Sequence, residues 1–403
     1  MNLDLVAFLL FSLFLFILII LNKKKLVFQK LFFPIYIVLY KTKIGLNLME
    51  RVGKKYPKFF NLFEYFIIIS SFSAMAFMLY VFLQGMFGFI FKSQPSPVGF
   101  LLPGVEVQGL PSISFLHWII AIFVLATVHE FSHGVIARAN NINVKSSGLA
   151  ALGIILPLFP AAFVEPDEKQ MAKKSTKTQL AVLSAGSFAN FVTAFLIILP
   201  ILYFILNPIA TSILELKGIK VAAIQEGFPV NKSGIVIGEI ISAINGKTVN
   251  NINEFLGEMK QTKPGEEVSI ATNKKNYIIK TVEKPDDKTR GYIGINVSPS
   301  KIGFREDLVK KYGENSIEFF LWIRLLFNWL FLTNIVVGLF NLLPLGPLDG
   351  GRMFFVALNY FIKDDNKSKK IWGVVSLFLF FLILFALAGQ IFGFFSKLVT
   401  LVL

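Results

Sequence analysis

Apolar residues in this chain come in long unbroken runs divided by short polar stretches. They do not follow the two-residue or 3.6-residue periods of half-buried strands and helices. A run of about 18 or more apolar residues is long enough to cross a bilayer as a helix. Six such spans are expected, at roughly 4–22, 64–91, 115–139, 179–206, 318–343 and 373–395. A further run, GLAALGIILPLFPAAFV (148–164), is apolar but short, and Gly148, Gly153, Pro157 and Pro160 break any helix there. It is expected to be re-entrant, dipping into the membrane from one side and lining a cavity where its backbone can be satisfied.

Between the fourth and fifth spans the pattern changes. Residues 217–300 alternate short β-type runs (KVAAI, EVSIAT, YIIKTV, YIGINV) with one helical stretch, NINEFLGEMK, and GEIISAINGKTV reads as strand, Asn-Gly turn, strand. This insert carries twelve Lys and Arg against nine Asp and Glu, so it is nearly neutral. SGIVIGEIISAINGKTVNNINEFLGEM resembles a PDZ domain of the type fused to bacterial proteases. That resemblance implies a small α/β soluble module that takes a peptide end.

Charge changes the picture by fixing sides. The formal net charge of +15 would invite nucleic-acid binding, but the basic residues gather in particular loops. Segment 23–63 holds ten Lys and Arg, beginning with Lys23, Lys24 and Lys25, and 140–178 and 344–372 hold five each; 93–114 holds none. By the positive-inside rule the three basic loops are cytoplasmic. Both termini and the insert are then extracytoplasmic, and no nucleic-acid partner is expected. In the first 25 residues the basic cluster follows the apolar run, so this run is expected to be a retained span and not a cleaved leader. Cysteine is absent, which excludes disulfides, thiolate metal sites and cysteine nucleophiles.

Candidate chemistry sits in the third span, at VHEFSH. His129 and His133 are four residues apart, so on a helix both imidazoles lie on one face, one turn apart. Two such nitrogens can hold a zinc ion, and Glu130 beside them can act as general base: this is the HExxH pattern of zinc proteases. The bland reading, a solvated polar face, fits poorly because the motif lies inside an apolar span where a lone carboxylate is costly. His117, near the other end of that span, is expected at the interface without a role. HExxH leaves a third ligand open. Asp349, in NLLPLGPLDGG, is the acidic residue at the cytoplasmic end of the fifth span, and topology carries it to the depth of the motif. From the residues alone it is equally a ligand or the cap of a following helix.

Together these motifs resemble the site-2 proteases, intramembrane zinc metalloproteases with HExxH in one span and LDG in a later one. HEFSH (129–133) and LDG (348–350) match in order, and NLLPLGPLDG places Asn341 and Pro344 where that family has Asn and Pro. AGSFANF (185–191) is similar to the family's AGPxxNF segment, with Ser187 in place of Pro. The 148–164 run, ending in AAFVEPDE, resembles its membrane-associated β-hairpin. The resemblance implies one zinc per chain on His129, His133 and Asp349, with Glu130 activating water; Asn190 is then a substrate or oxyanion contact or else a helix–helix hydrogen bond, and Asn341 a substrate contact or part of the loop structure. It implies a zinc metalloendopeptidase that cuts membrane-anchored proteins in or near their transmembrane segments, with its active site near the cytoplasmic side of the cell membrane.

The expected organisation is two N-terminal spans with a basic loop (1–114), a first half of the protease core (115–216) and the PDZ-like insert (217–300). A second half of the core with LDG (301–360) and a C-terminal span (361–403) follow. The alternative is a transporter or sensor without enzymatic activity, with intramembrane polar residues and a peptide-binding PDZ module; the absence of internal repeats in matching halves speaks against it.

Overall fold

The computed structural model describes residues 3–22, 26–32, 35–103, 112–153 and 159–402; Lys23, Lys24, Lys25 and Pro157 lie outside them. In chain order its first elements are α1 (Leu3–Leu21), β1 (Leu26–Phe32), β2 (Ile35–Thr42), α2 (Leu46–Lys55), α3 (Pro57–Phe91) and α4 (Phe115–Ala139). Then come β3 (Val144–Gly153), β4 (Phe159–Pro166), α5 (Glu168–Ala172) and α6 (Thr176–Val192), which continues helically through α7 (Leu199–Ile201) to α8 (Asn207–Ile213). The next segment holds β5 (Leu214–Ile224), α9 (Val230–Ser233), β6 (Ile240–Ile244), β7 (Lys247–Thr248), α10 (Ile252–Lys260) and β8 (Glu267–Thr272). After these lie β9 (Asn276–Lys280), β10 (Val282–Lys284), β11 (Asp287–Tyr292) and β12 (Ile295–Phe304). The chain closes with α11 (Glu306–Tyr312), α12 (Glu314–Phe340), α13 (Asp349–Ile362) and α14 (Asp365–Val402). It divides into two compact units, 1–202 with 323–403, and 203–322.

Five helices among the described residues are long and apolar enough to cross a membrane: Pro57–Phe91, Phe115–Ala139, Thr176–Ile213, Glu314–Phe340 and Asp365–Gln390. Their large apolar side chains, such as Leu62, Ile69, Phe204 and Phe381, stay exposed, as suits helices solvated by lipid. The helix from Thr176 changes to π-type winding at Thr193–Ile198 and Leu202–Leu206, on either side of Pro200, whose missing N–H removes one rung of the ladder.

The first unit is organised around α4, which packs against α6, α2 and β4, while α6 also packs against α3 and α13. Lipid is as apolar as leucine, so burial of apolar surface does little to bring these helices together; close packing and polar contacts do. The buried side of α6 is accordingly rich in small residues, with Ala181, Ser184, Ala185 and Ser187 enclosed beside Leu180, Val182 and Leu183.

In the 148–164 run, whose residues 154–158 lie outside the described ones, β3 pairs antiparallel with β4 from Val144↔Pro166 to Leu152↔Phe159. Its other edge joins β2, with Tyr36↔Gly153 and Thr42↔Ser147, giving a four-stranded sheet in the order β1-β2-β3-β4. The β1–β2 hairpin falls in the segment read from the sequence only as a basic loop.

The second unit has its own sheet, β12-β5-β6-β8-β9, with β7 on β6. EVSIAT is β8, NINEFLGEMK holds α10, and Asn245–Gly246 make the expected turn with φ of 50° and 79°, the left-handed pair of a type I′ hairpin. β5 begins before residue 217, and its partner β12 runs past 300. Alternate residues of β8 and β9 face one core with Ile219, Val221, Ile241 and Ile244, closed by Phe255 of α10.

One buried carboxylate lies in this unit. Glu239 accepts hydrogen bonds from Thr272 Oγ1 at 2.7 Å, Tyr277 Oη at 3.0 Å and the Val236 N–H at 3.2 Å. Burial works to raise its pKa, but these donors and Lys274 prevail and hold it below the usual glutamate value. A carboxyl whose folded pKa is depressed stabilises the fold above its unfolded pKa of about 4.3. That contribution is lost as pH falls through the lower folded value. Hydrogen-exchange protection of β6 and β8 in the intact chain should therefore drop as pH falls below about 4.3, and Glu239→Gln should flatten that dependence; an unchanged profile in the variant would refute the assignment.

Candidate metal centre

α4 starts at a capped N-terminus, where the Ser114 side chain accepts the His117 N–H at 3.2 Å. About four turns on, the i, i+4 spacing places His129 and His133 with ring centroids 4.8 Å apart, both buried. His117, expected at the interface, is buried at the other end of the helix, 2.6 Å from Ser114 Oγ through Nδ1.

Each imidazole is held from behind. His133 Nδ1 lies 2.6 Å from the Val182 carbonyl on α6. A carbonyl only accepts, so Nδ1 carries the proton and Nε2 turns a lone pair inward. His129 Nδ1 lies 3.1 Å from the side-chain amide of Asn190, also on α6. The two Nε2 atoms are 3.1 Å apart.

The third group arrives from 216 and 220 residues further along the chain. Asp349 is the first residue of α13, and its side chain does not cap that helix. Its Oδ2 instead stands 2.9 Å from His129 Nε2 and 3.1 Å from His133 Nε2, a position from which it caps no helix and could serve a metal ion together with both imidazoles. The turn that aims it is tight. The Gly350 N–H donates to the Asn341 carbonyl at 2.8 Å, and a Cβ on Gly350 would lie 2.1 Å from the Leu342 carbonyl oxygen. Only glycine lets the start of α13 come so near the end of α12. α14 braces the same turn: Trp372 Nε1 donates to the Gly351 carbonyl at 2.9 Å, and Ser376 Oγ accepts the Gly346 N–H at 3.1 Å. Asn341 thus takes part in the turn through its backbone, with its side chain half-buried.

These three groups could hold a metal ion, and two tests bear on whether they fit one. Nitrogen and oxygen ligands about 2.0–2.1 Å from a tetrahedral zinc stand roughly 3.3 Å from one another. The observed separations of 2.9, 3.1 and 3.1 Å are close to that edge. The space before the two Nε2 atoms is also kept clear by one residue. A Cβ on Gly186 of α6 would lie 2.4 Å from His133 Nε2 and 2.6 Å from His129 Nε2. Two imidazoles and one carboxylate are a zinc donor set, and the residues present fit it.

Glu130 is not among the three. It points to the side, where its Oε2 accepts the Val164 N–H of β4 at 2.8 Å, so the carboxylate is fixed between the His129–His133–Asp349 cluster and the terminal strand of the sheet.

The structure therefore brings His129, His133, Asp349, Glu130 and Asn190 into one cluster. Sequence reasoning missed Gly186, although AGSFANF contains it, and missed Val182 and Val164. The last two act through backbone atoms, which leave no side-chain signature.

A bundle of apolar helices with HExxH inside one of them, completed by a distant aspartate, defines the class: a membrane-embedded metalloprotease. The chain belongs to Peptidase family M50, whose model matches residues 117–385, in line with the resemblance carried by HEFSH and LDG. Similar proteins include an uncharacterised protein of Methanocaldococcus jannaschii, 32% identical over 77% of this chain and 74% of that one. Zinc metalloprotease RasP of Shouchella clausii is 25% identical over 49% of this chain and 54% of its own length, so the chain spans about half of that protein. Among solved structures, the PDZ domain of the SdrC-like protein from Listeria monocytogenes is 21% identical, covers 20% of this chain and 86% of that one, and has a TM-score of 0.18.

Proposed function

We propose that this chain is a zinc metalloendopeptidase, with one zinc per chain, that hydrolyses peptide bonds in or near the transmembrane segments of membrane-anchored proteins. The observation that carries this reading is the convergence of His129 Nε2, His133 Nε2 and Asp349 Oδ2 inside a helix apolar enough to span a membrane, with Glu130 beside them. A zinc ion bound there supplies Lewis acidity toward the scissile carbonyl and the attacking water. Glu130 takes the proton from that water and returns it to the leaving amine. The Val164 N–H keeps the carboxylate oriented for both transfers.

A substrate span hides its carbonyls in its own helix and must unwind to be cut. β4 ends the sheet, and side by side with α4 it can receive an unwound segment as an added strand. Val164 already gives its outward N–H to Glu130, so Ala162, two residues along the same edge, is the next donor facing that way. The basic loops favour a site near the cytoplasmic side, with both termini and the PDZ-like insert outside. The insert is read as binding a peptide end of the substrate.

The test uses the intact chain in lipid with a model transmembrane substrate. Wild-type protein should cleave it, lose cleavage when zinc is stripped by a chelator, and regain it when zinc is returned. Cleavage that survives complete metal removal would overturn the reading, as would zinc-loaded protein that cuts no membrane-anchored substrate.

A further inference from the structure

Asn190 is fully buried, at 0% exposure. α12 lies directly over it, since a Cβ on Gly338 would be 3.4 Å from Asn190 Cβ. Its amide meets His129 at Nδ1, 3.1 Å away, while the Nε2 of the same ring faces Asp349. Nδ1 and Nε2 lie on opposite edges of an imidazole, so the amide stands behind the ring, away from the reacting atoms. A group that stabilises an oxyanion must lie about 2.7–3.1 Å from that oxygen, and the His129 ring separates Asn190 from where the oxygen would be.

We propose that Asn190 is a positioning residue: its side-chain oxygen accepts the Nδ1 proton of His129 and thereby fixes the tautomer and ring plane in which Nε2 ligates zinc. A ring that gives its Nε2 lone pair to a metal carries its proton on Nδ1 and needs an acceptor there. Rotation of the amide about Cβ–Cγ exchanges its nitrogen and oxygen. The Asn190 oxygen is buried without a hydrogen-bond partner among the described residues, and it is the atom that suits this position. Val182 does the same for His133 through its carbonyl. Both rings are thus backed by α6, His133 through main chain and His129 through Asn190, and only the second support can be altered by substitution.

The inference rests on the zinc reading above, and its test separates the two. Zinc affinity of the intact chain is measured by competition with a chromogenic chelator, and cleavage is measured separately at saturating zinc. Asn190→Leu, which offers no acceptor, should weaken zinc binding about 10–100-fold. Asn190→Asp, which can only accept, should hold zinc within about threefold of wild type and keep cleavage. Should the leucine variant fail to fold, Asn190→Ala serves in its place with the same expectation. Wild-type affinity in the leucine or alanine variant would overturn the proposal. So would an Asn190→Asp protein that holds zinc but no longer cleaves, because then the amide N–H is serving the substrate. A wild-type chain that binds no zinc would instead refute the metal reading itself.

Discussion

Glu130→Gln is expected to bind zinc as the wild type does and to cleave about 10²–10⁴-fold more slowly. The first half of this expectation follows from geometry. The three groups that could hold the metal ion are His129, His133 and Asp349, and Glu130 stands outside them. The glutamine oxygen can still accept the Val164 N–H that Glu130 Oε2 holds at 2.8 Å, so the side chain keeps its place and the helix keeps its shape. The second half follows from chemistry. An amide has no basic oxygen able to take a proton from water at neutral pH, and proton transfer by a positioned side chain is worth two to four orders of magnitude. Zinc content by elemental analysis and single-turnover cleavage, measured on the same preparation, decide the matter. Full zinc with cleavage within tenfold of wild type would remove Glu130 from the role of base. Loss of zinc would instead make it a ligand.

Gly186→Ala should weaken zinc binding at least about 10²-fold without unfolding the protein. The added methyl would lie 2.4 Å from His133 Nε2 and 2.6 Å from His129 Nε2, well inside van der Waals contact. Neither ring can easily turn away, because the Val182 carbonyl and Asn190 hold their far edges. The methyl also occupies the space both lone pairs address. Removing an outer support of a ligand costs 10–100-fold in metal affinity, so blocking the ligands themselves should cost on the order of 10²-fold or more. The helix should not suffer, since alanine is about 1 kcal/mol more favourable than glycine in a helix interior. Chelator competition should therefore show the loss, while far-ultraviolet circular dichroism and chromatographic behaviour match the wild type. Zinc affinity equal to wild type would mean that α6 stands further from the imidazoles than described.

The residues of the centre were unevenly legible. His129 and His133 were plain, since i, i+4 spacing dictates one helical face wherever the helix goes, and the cost of Glu130 in an apolar run argued for a polar cavity. Asp349 was half legible: charge counting put it on the same side as the histidines, but ligand and helix cap stayed level, and only the fold showed its carboxylate facing both histidines and capping nothing. The hairpin of 148–164 was expected from resemblance. The β1–β2 hairpin was not, although LVFQKLF and IYIVLYKT are β-type runs, because their lysines were counted only as a topology signal. β2 finds its partner β3 more than a hundred residues later, as Thr42↔Ser147 shows, and nothing local in either run names the other. Asn190 was placed near the centre by its motif, and only the fold showed which edge of which ring it meets.

The sequence alone determined what depends on short-range geometry and on transfer between water and lipid: spanning helices, the two-histidine face, the Asn245–Gly246 turn and the polar exception at Glu130. Tertiary structure decided what depends on close approach of distant backbone. It set the 2.9 Å meeting of Asp349 with His129 across 220 residues, the open space in front of Gly186, and the backbone partners Val182 and Val164. The division is physical. Helix spacing and hydropathy are properties of neighbouring residues, whereas those contacts arise only when α4, α6, α13 and β4 pack together, and several of them run through peptide groups that every residue carries alike.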